Sequence, residues 1–538
     1  MRSNVACYTP DCPDAATITA IRRVEKYVRV LRYLDEAVYG EAESVGGRRI
    51  MWCLLACLYL LGVVYWIGFF DAGRVSLTAA DWVWQSATLD TVRSALSSGA
   101  LPWQWGIPSG ALASEQARFL VSIVALTPDV ALLQIVSNAV FALVHVVILY
   151  TMGFFGSVRL ARRVNANLMS LAFFWILFNF SGFITAHIAI GHFEFAGYFL
   201  LPIFLDLALG VAVRSTDRTR AIDLGYALWI GLVIGALILN GSVHFAVWCC
   251  AFLVLMSLWR WRLLPTVGVA TTAGVALGLG RLLPSALYVP SPGTFISGYP
   301  DLSVLLTALT TIRVPDYSYT LGGNWGALWW WEYDVYVGIA ALVVLTIAVV
   351  VAFRRHRHAR IAPALAAGAA LFLFSLGDNY ALIRRAIPVL GDTERVSTRL
   401  AVIPFLLMLV VATEGLALAF REWPRTSRVF SAVALPVIGW QLAMHAKYWT
   451  VAGVERLLSP DAAPALRIIA STDTQHTIIV FGSWMVSLIA LCAVAALLWR
   501  QHRAERGGTA SCETESDGTA GPARCDWLAY DAIDGTSV

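Results

Sequence analysis

The stretch Ile50–Phe70, IMWCLLACLYLLGVVYWIGFF, runs 21 residues without a charge between Arg48-Arg49 and Asp71. At about 1.5 Å per residue, a helix of that length covers about 30 Å, the hydrocarbon thickness of a bilayer. Inside that layer backbone amides have no water to bond, so the run must pair them internally as a helix. Residues 1–49 are polar and no small-residue cleavage pattern follows the run. It therefore reads as a retained first span and not as a removed leader.

Comparable runs recur near 131–156, 167–187, 194–213, 222–239, 244–259, 264–284, 333–353, 361–376, 400–420, 429–446 and 478–499. Composition agrees: 58% of residues are apolar and 14% charged, against about 25% charged in soluble proteins. The expectation is an all-α polytopic membrane protein with about twelve transmembrane helices and extracytoplasmic loop helices.

The connectors alternate in charge. Segments 157–165, 214–221, 260–262, 354–360 and 421–428 hold 15 Arg in 35 residues, whereas the opposite set holds 11 Lys or Arg in 172 residues. Positive charge stays on the cytoplasmic side. Both termini are therefore expected in the cytoplasm and the chain in the cell (plasma) membrane. Three parts follow: a cytoplasmic segment 1–49, a membrane domain 50–499, and a disordered cytoplasmic tail 500–538. The main outer loops are 71–130, 285–332, 377–399 and 447–477. Residues 18–40 form a candidate amphipathic surface helix, with Ile21, Val24, Val28, Leu31 and Leu34 beside Arg22, Arg23, Lys26, Arg29 and Arg32.

A net charge of +4 points to no nucleic-acid partner. Cys53, Cys57, Cys249, Cys250 and Cys492 lie in apolar runs, and no disulfide framework is implied. No Walker motif, HExxH or GxSxG occurs, which removes support for ATP-driven transport, zinc proteolysis and α/β-hydrolase chemistry.

Chemistry-bearing residues gather in the outer segments. Asp81, flanked by Ala79, Ala80, Trp82 and Val83, is read either as the N-cap of a loop helix or as a base. His192 and Glu194, two apart at a membrane boundary, can bind a metal or polarise a hydroxyl, or else meet headgroups and a helix dipole. Arg395 and Arg399 share a helical face suited to phosphate oxygens, or pair with Asp392 and Glu394. Glu332 and Asp334 can orient an acceptor or cap a helix. Trp82, Trp84, Trp103, Trp105, Trp325, Trp329, Trp330 and Trp331 form either an interfacial belt or a platform for sugar. Within the spans, His145, His187, Asp206, Asp223, His244 and Glu414 are polar exceptions; Asp223 and Glu414 are expected to pair with Arg220 and Arg421.

Several segments, in order, resemble the YfhO-like membrane proteins of the glycosyltransferase C (GT-C) superfamily. They are Gly99-Ala100-Leu101-Pro102-Trp103 with Gly110, Gly191-His192 before Leu201-Pro202, and Leu282-Leu283-Pro284. Glu332-Tyr333 with Tyr336 and Gly338 follows, then Ser375-Leu376-Gly377, Ile387-Pro388 and Arg395-Val396-Ser397-Thr398-Arg399. The likeness covers about residues 50–420. It implies a GT-C-like fold and transfer of sugar from a polyprenyl-phosphate donor to a lipid, glycan or protein on the outer face. It also implies a first-loop acidic residue acting as base or metal ligand, here Asp81 and less directly Asp90. His192, Glu194, Glu332, Arg395, Arg399 and Trp103 become the expected substrate contacts. The first loop lacks an adjacent acidic pair, so whether a divalent metal is the cofactor stays open. Two other classes compete: a transporter or lipid flippase, with inverted halves and broken spans, and a non-catalytic membrane assembly protein.

Overall fold

The computed structural model describes residues 15–40, 44–99, 105–106, 126–217, 222–288, 298–316, 328–355, 360–386, 394, 396–463, 467–468 and 474–512. Their order is α1 (Ala15–Tyr39), α2 (Val45–Phe69), α3 (Trp82–Ser97), α4 (Asn138–Arg163), α5 (Leu168–Phe180), α6 (Gly182–Ile190), α7 (Leu201–Asp217), α8 (Leu224–Leu239), α9 (Val243–Trp259), α10 (Leu264–Leu277), α11 (Leu279–Tyr288), α12 (Leu302–Thr310), α13 (Ile339–Arg355), α14 (Ala362–Phe374), α15 (Asn379–Ala386), α16 (Val402–Glu422), α17 (Pro424–Ala446), α18 (Val451–Leu457) and α19 (Thr474–Cys512). The described strands are a two-residue antiparallel pair, Trp105–Gly106 with Arg467–Ile468.

Among the described residues, seven helical stretches are long and apolar enough to cross a membrane: Val45–Phe69, Asn138–Arg163, Leu168–Ile190, Phe193–Ser215, Ser397–Glu422, Pro424–Ala446 and Thr477–Ala504. The chain is thus an all-α, multi-pass membrane protein. The other expected spans also fall on helix but are shorter. α8, α9 and α14 have 16, 17 and 13 residues, and Gly278 separates α10 from α11. The run expected from residue 333 becomes helix only at Ile339, because Asp334–Gly338 is not helical and Gly338 takes φ +86°.

Small residues let the helices approach closely. A Cβ on Gly415 would meet Ala348 O at 1.9 Å, and one on Gly153 would meet Phe199 O at 2.7 Å. Span Leu168–Ile190 is broken at Ser181, whose backbone is extended between α5 and α6. The break is closed from outside: Gly182 N–H donates to Tyr336 O at 2.8 Å. Asp334, buried against His445 at 3.0 Å, lies over the same turn.

The Arg-dense connectors meet at one end. Arg421 donates to Asn165 O (3.0 Å), Arg260 to Ala212 O (2.7 Å), and Arg355 pairs with Glu422 (2.8 Å). Buried Asp206 is held there by Arg159 and Arg163 at 3.0 and 2.6 Å. Asp223 pairs with Arg214 at 3.5 Å; Arg220, its expected partner, lies outside the described residues. At the same end α1 is clamped. Ser44 N–H and Oγ both donate to Glu36 at 2.6 Å, and Asp35 pairs with Arg428 at 2.8 Å. At the opposite end the Glu455 carboxylate accepts the backbone N–H groups of Ser76, Leu77 and Thr78. It thereby fastens the loop between α2 and α3 to α18.

Candidate active site

A single turn builds the core of the site. α6 ends at Ile190, and Gly191 takes φ +102°. His192 N–H then bonds back to His187 O (2.9 Å) and Gly191 N–H to Ile188 O (3.2 Å), the six-to-one and five-to-two closure of a Schellman turn. That closure folds residue 192 over residue 187, five positions earlier. Their rings stack with Nδ1 atoms 2.7 Å apart. Glycine is also needed because the start of α3 lies on the turn: a Cβ on Gly191 would sit 2.2 Å from Trp82 N. Asp81 N–H donates to Ile190 O at 2.9 Å, and Trp82 Nε1 donates to Ile188 O at 3.0 Å.

So held, Asp81 occupies the N-cap position of α3 without capping it. Its side chain makes no bond to the helix amides. Its Oδ2 instead faces His192 Nε2 at 2.9 Å, with the Asp81 side chain 57% exposed and that of His192 11% exposed. The result is a hydrogen-bonded chain from open carboxylate to buried ring: Asp81, His192, His187. Burial works against a charged His192, but the bond to Asp81 and the charge of Glu332 outweigh it and hold His192 above its ordinary value.

A second network lies alongside. Arg399 grips Glu332 with both fork nitrogens, Nε to Oε2 at 2.8 Å and Nη2 to Oε1 at 2.6 Å. Its Nη1 lies 3.8 Å from Glu394. Glu394 also accepts from Trp248 Nε1 (3.2 Å) and Val396 N–H (3.1 Å) and pairs with His244 (3.1 Å). Burial opposes the Glu394 charge, yet His244 and Arg399 hold the carboxyl below its usual range. Thr398 Oγ donates to Glu332 O at 2.6 Å, tying the two segments together. Phe195 joins both networks: its ring centroid is 4.1 Å from that of His187 and 5.2 Å from the Arg399 guanidinium carbon. Glu194 accepts from Gln85 of α3 at 3.3 Å.

The structure therefore brings together Asp81, His192, Glu194, Glu332 and Arg399 from four separate segments. Asp90 is not among them. It sits nine residues along α3, about 13 Å by helical rise, where it bonds Arg93 and Asn138 at 2.9 Å each. Arg395 and Trp103 lie outside the described residues. Of the two readings of Arg399, phosphate contact or an ion pair with the nearby acids, the structure shows carboxylate partners: Glu394 at 3.8 Å and, filling its fork, Glu332, 67 positions away. Of the tryptophans considered, Trp82, Trp330 and Trp331 are buried and Trp84 is exposed. Sequence reasoning passed over His187, His244 and Glu394 as members of the cluster. The signal for His187 was the glycine four residues later, which turns the chain back onto it.

Among the described residues no group of three His, Cys, Asp or Glu side chains is arranged to hold a metal ion. The Asp81–His192–His187 chain directs its facing atoms at one another. The described donors do not fit a metal.

Fold and cluster together define the class: a polytopic helical membrane protein with a carboxylate–imidazole pair beside a buried guanidinium–carboxylate network. Both lie at the end of the bundle opposite the Arg-dense connectors. No known protein family and no curated protein matches the sequence. Among solved structures, the cryo-EM structure of the arabinofuranosyltransferase AftD from mycobacteria is similar to 75% of this chain, with 17% identity and a TM-score of 0.44. The chain spans 27% of that protein's length, about a quarter.

Proposed function

We propose that the protein is a GT-C-like membrane glycosyltransferase. It transfers a sugar from a polyprenyl-phosphate donor to a lipid, glycan or protein hydroxyl on the extracytoplasmic face, in the plasma membrane, with both termini cytoplasmic. The motif order from Asp81 to Arg399 supports this reading. One observation carries it: Asp81 sits where a helix cap belongs, yet turns its carboxylate away from the helix to His192.

Asp81 Oδ2 is occupied by His192, so Oδ1 takes the proton of the acceptor hydroxyl. The hydroxyl oxygen forms its bond to the anomeric carbon as the bond from that carbon to the lipid phosphate breaks. The phosphate leaves with the electron pair. Arg395 is assigned to meet the phosphate charge. Arg399 acts from behind, keeping Glu332 and Glu394 ionised and in place. Glu194 and Glu332 orient the acceptor, and Trp103 contributes an apolar face to a sugar. Asp90 is assigned the support of α3.

The break at Ser181 is what a transporter would also display. It is stoppered by Asp334, Tyr336 and His445, all buried, which favours the enzyme.

The test is complementation. A deletion strain, profiled for glycolipids by mass spectrometry, is restored with wild type or D81N. Removing a general base costs about 10²–10⁴ in rate, so D81N should insert and fold normally and fail to restore the missing glycolipid. Full restoration by D81N rejects the assignment.

A further inference from the structure

The buried ring of His187 has no part in the transfer as written, yet its geometry bears on it. His187 is 1% exposed and His192 8% exposed. A carboxylate only accepts hydrogen bonds, so the 2.9 Å contact with Asp81 requires the hydrogen on His192 Nε2. The 2.7 Å contact between the two Nδ1 atoms holds one proton. An imidazolium at His192 needs an acceptor for its Nδ1–H. In this pocket the atom placed to accept it is Nδ1 of His187.

The charged groups around His192 favour that state. Asp81 of the first outer loop, Glu194 of the turn after α6 and Glu332 of the segment before α13 bring negative charge. Arg399 opposes them. His244 of α9 faces His187 across Phe195.

We propose that His187 is a positioning residue. It accepts the Nδ1 proton of His192 and so keeps His192 an imidazolium bound to Asp81. Oδ1 is then the one carboxylate oxygen left to receive the acceptor's proton. This rests on the assignment of Asp81 as the base, but it concerns where a proton sits and is tested without turnover.

The experiment is a titration of the full chain in nanodiscs, labelled with 15N-histidine and followed by NMR, with H192F identifying the His192 signal. A hydrogen bond to a charged group contributes about 1.5–3 kcal/mol, equivalent to about one to two pH units. In H187F the His192 midpoint should fall by that amount. H187N, whose amide oxygen can replace Nδ1 as acceptor, should recover most of it. H187M gives a second apolar replacement should the ring of H187F not fit, and thermal unfolding checks that each variant is folded. An unchanged His192 midpoint in a folded apolar variant overturns the proposal. A fall in H187F with no recovery in H187N overturns it as well, because ring packing and not the acceptor would then be responsible. Failure of the D81N test would leave this result intact, and the reverse also holds.

Discussion

Arg399 provides the sharpest test of how dry the cluster is. Its guanidinium makes two short bonds to Glu332 and a looser contact with Glu394, and the three side chains are 11%, 8% and 1% exposed. Arg399→Met keeps a similar apolar stem and removes the charge. Two enclosed carboxylates then lose this guanidinium, and removing one partner of a buried pair costs about 3–5 kcal/mol. Glu332→Gln should cost less, about 1.5–3 kcal/mol, because Arg399 retains Glu394 at 3.8 Å. The double variant should fall short of the sum of the singles by about 1–3 kcal/mol, as expected for residues in direct contact. Equilibrium unfolding in mixed micelles reads all four members of the cycle. If R399M loses no more than about 1 kcal/mol, the value of a solvent-exposed pair, water reaches the network and its proposed electrostatic role fails.

Three further outcomes are expected. Gly191→Ala forces a left-handed backbone on a residue with a Cβ, a strain of about 1–3 kcal/mol, and drives that atom to 2.2 Å from Trp82 N; a lowered melting point with loss of complementation is expected, and a wild-type melting point would count against the turn. Stability should depend on pH from both sides. The raised His192 contributes fully below about 6.5 and is lost as pH rises through its folded value; the lowered Glu394 contributes above about 4.5 and is lost as pH falls through its own. The cluster's contribution should thus be greatest between those values, and H192F should flatten the alkaline limb of unfolding midpoint against pH. On α1, Val28, Leu31 and Leu34 form an exposed apolar stripe beside exposed Lys26, Arg29 and Arg32, so amide exchange there should be slower in nanodiscs containing phosphatidylglycerol than in phosphatidylcholine alone; equal rates would mean the helix does not lie on the lipid.

Much of this architecture was legible because its cause is local. Spans are written in runs of apolar side chains, and the Arg-dense connectors mark one end residue by residue. Asp81, His192, Glu332 and Arg399 stood out as polar residues at the edges of those runs. What pairs with what was not legible. Arg399 meets Glu332 across 67 positions, and His244 meets Glu394 across 150, distances at which no periodicity operates. The spacing of Arg395 and Arg399 suited a phosphate equally well before a carboxylate was found in the fork. The helix interruptions at Ser181 and Gly278 escaped notice because both residues lie within apolar runs, where hydropathy is blind to backbone direction. Asp90 shows the opposite error. An acidic residue in the right loop drew attention, but helical rise carries it past the cluster to serve Arg93 and Asn138.

The fastening of Ser76, Leu77 and Thr78 by Glu455 also sets a schedule. The loop that presents Asp81 emerges early in synthesis, yet the carboxylate that secures it is about 379 residues downstream. Until the ribosome has produced most of the polypeptide, that early segment must wait at the bilayer surface with three amides unclaimed. A nascent chain arrested before α18 can therefore hold many of its spans in lipid while the centre between them is still unfinished.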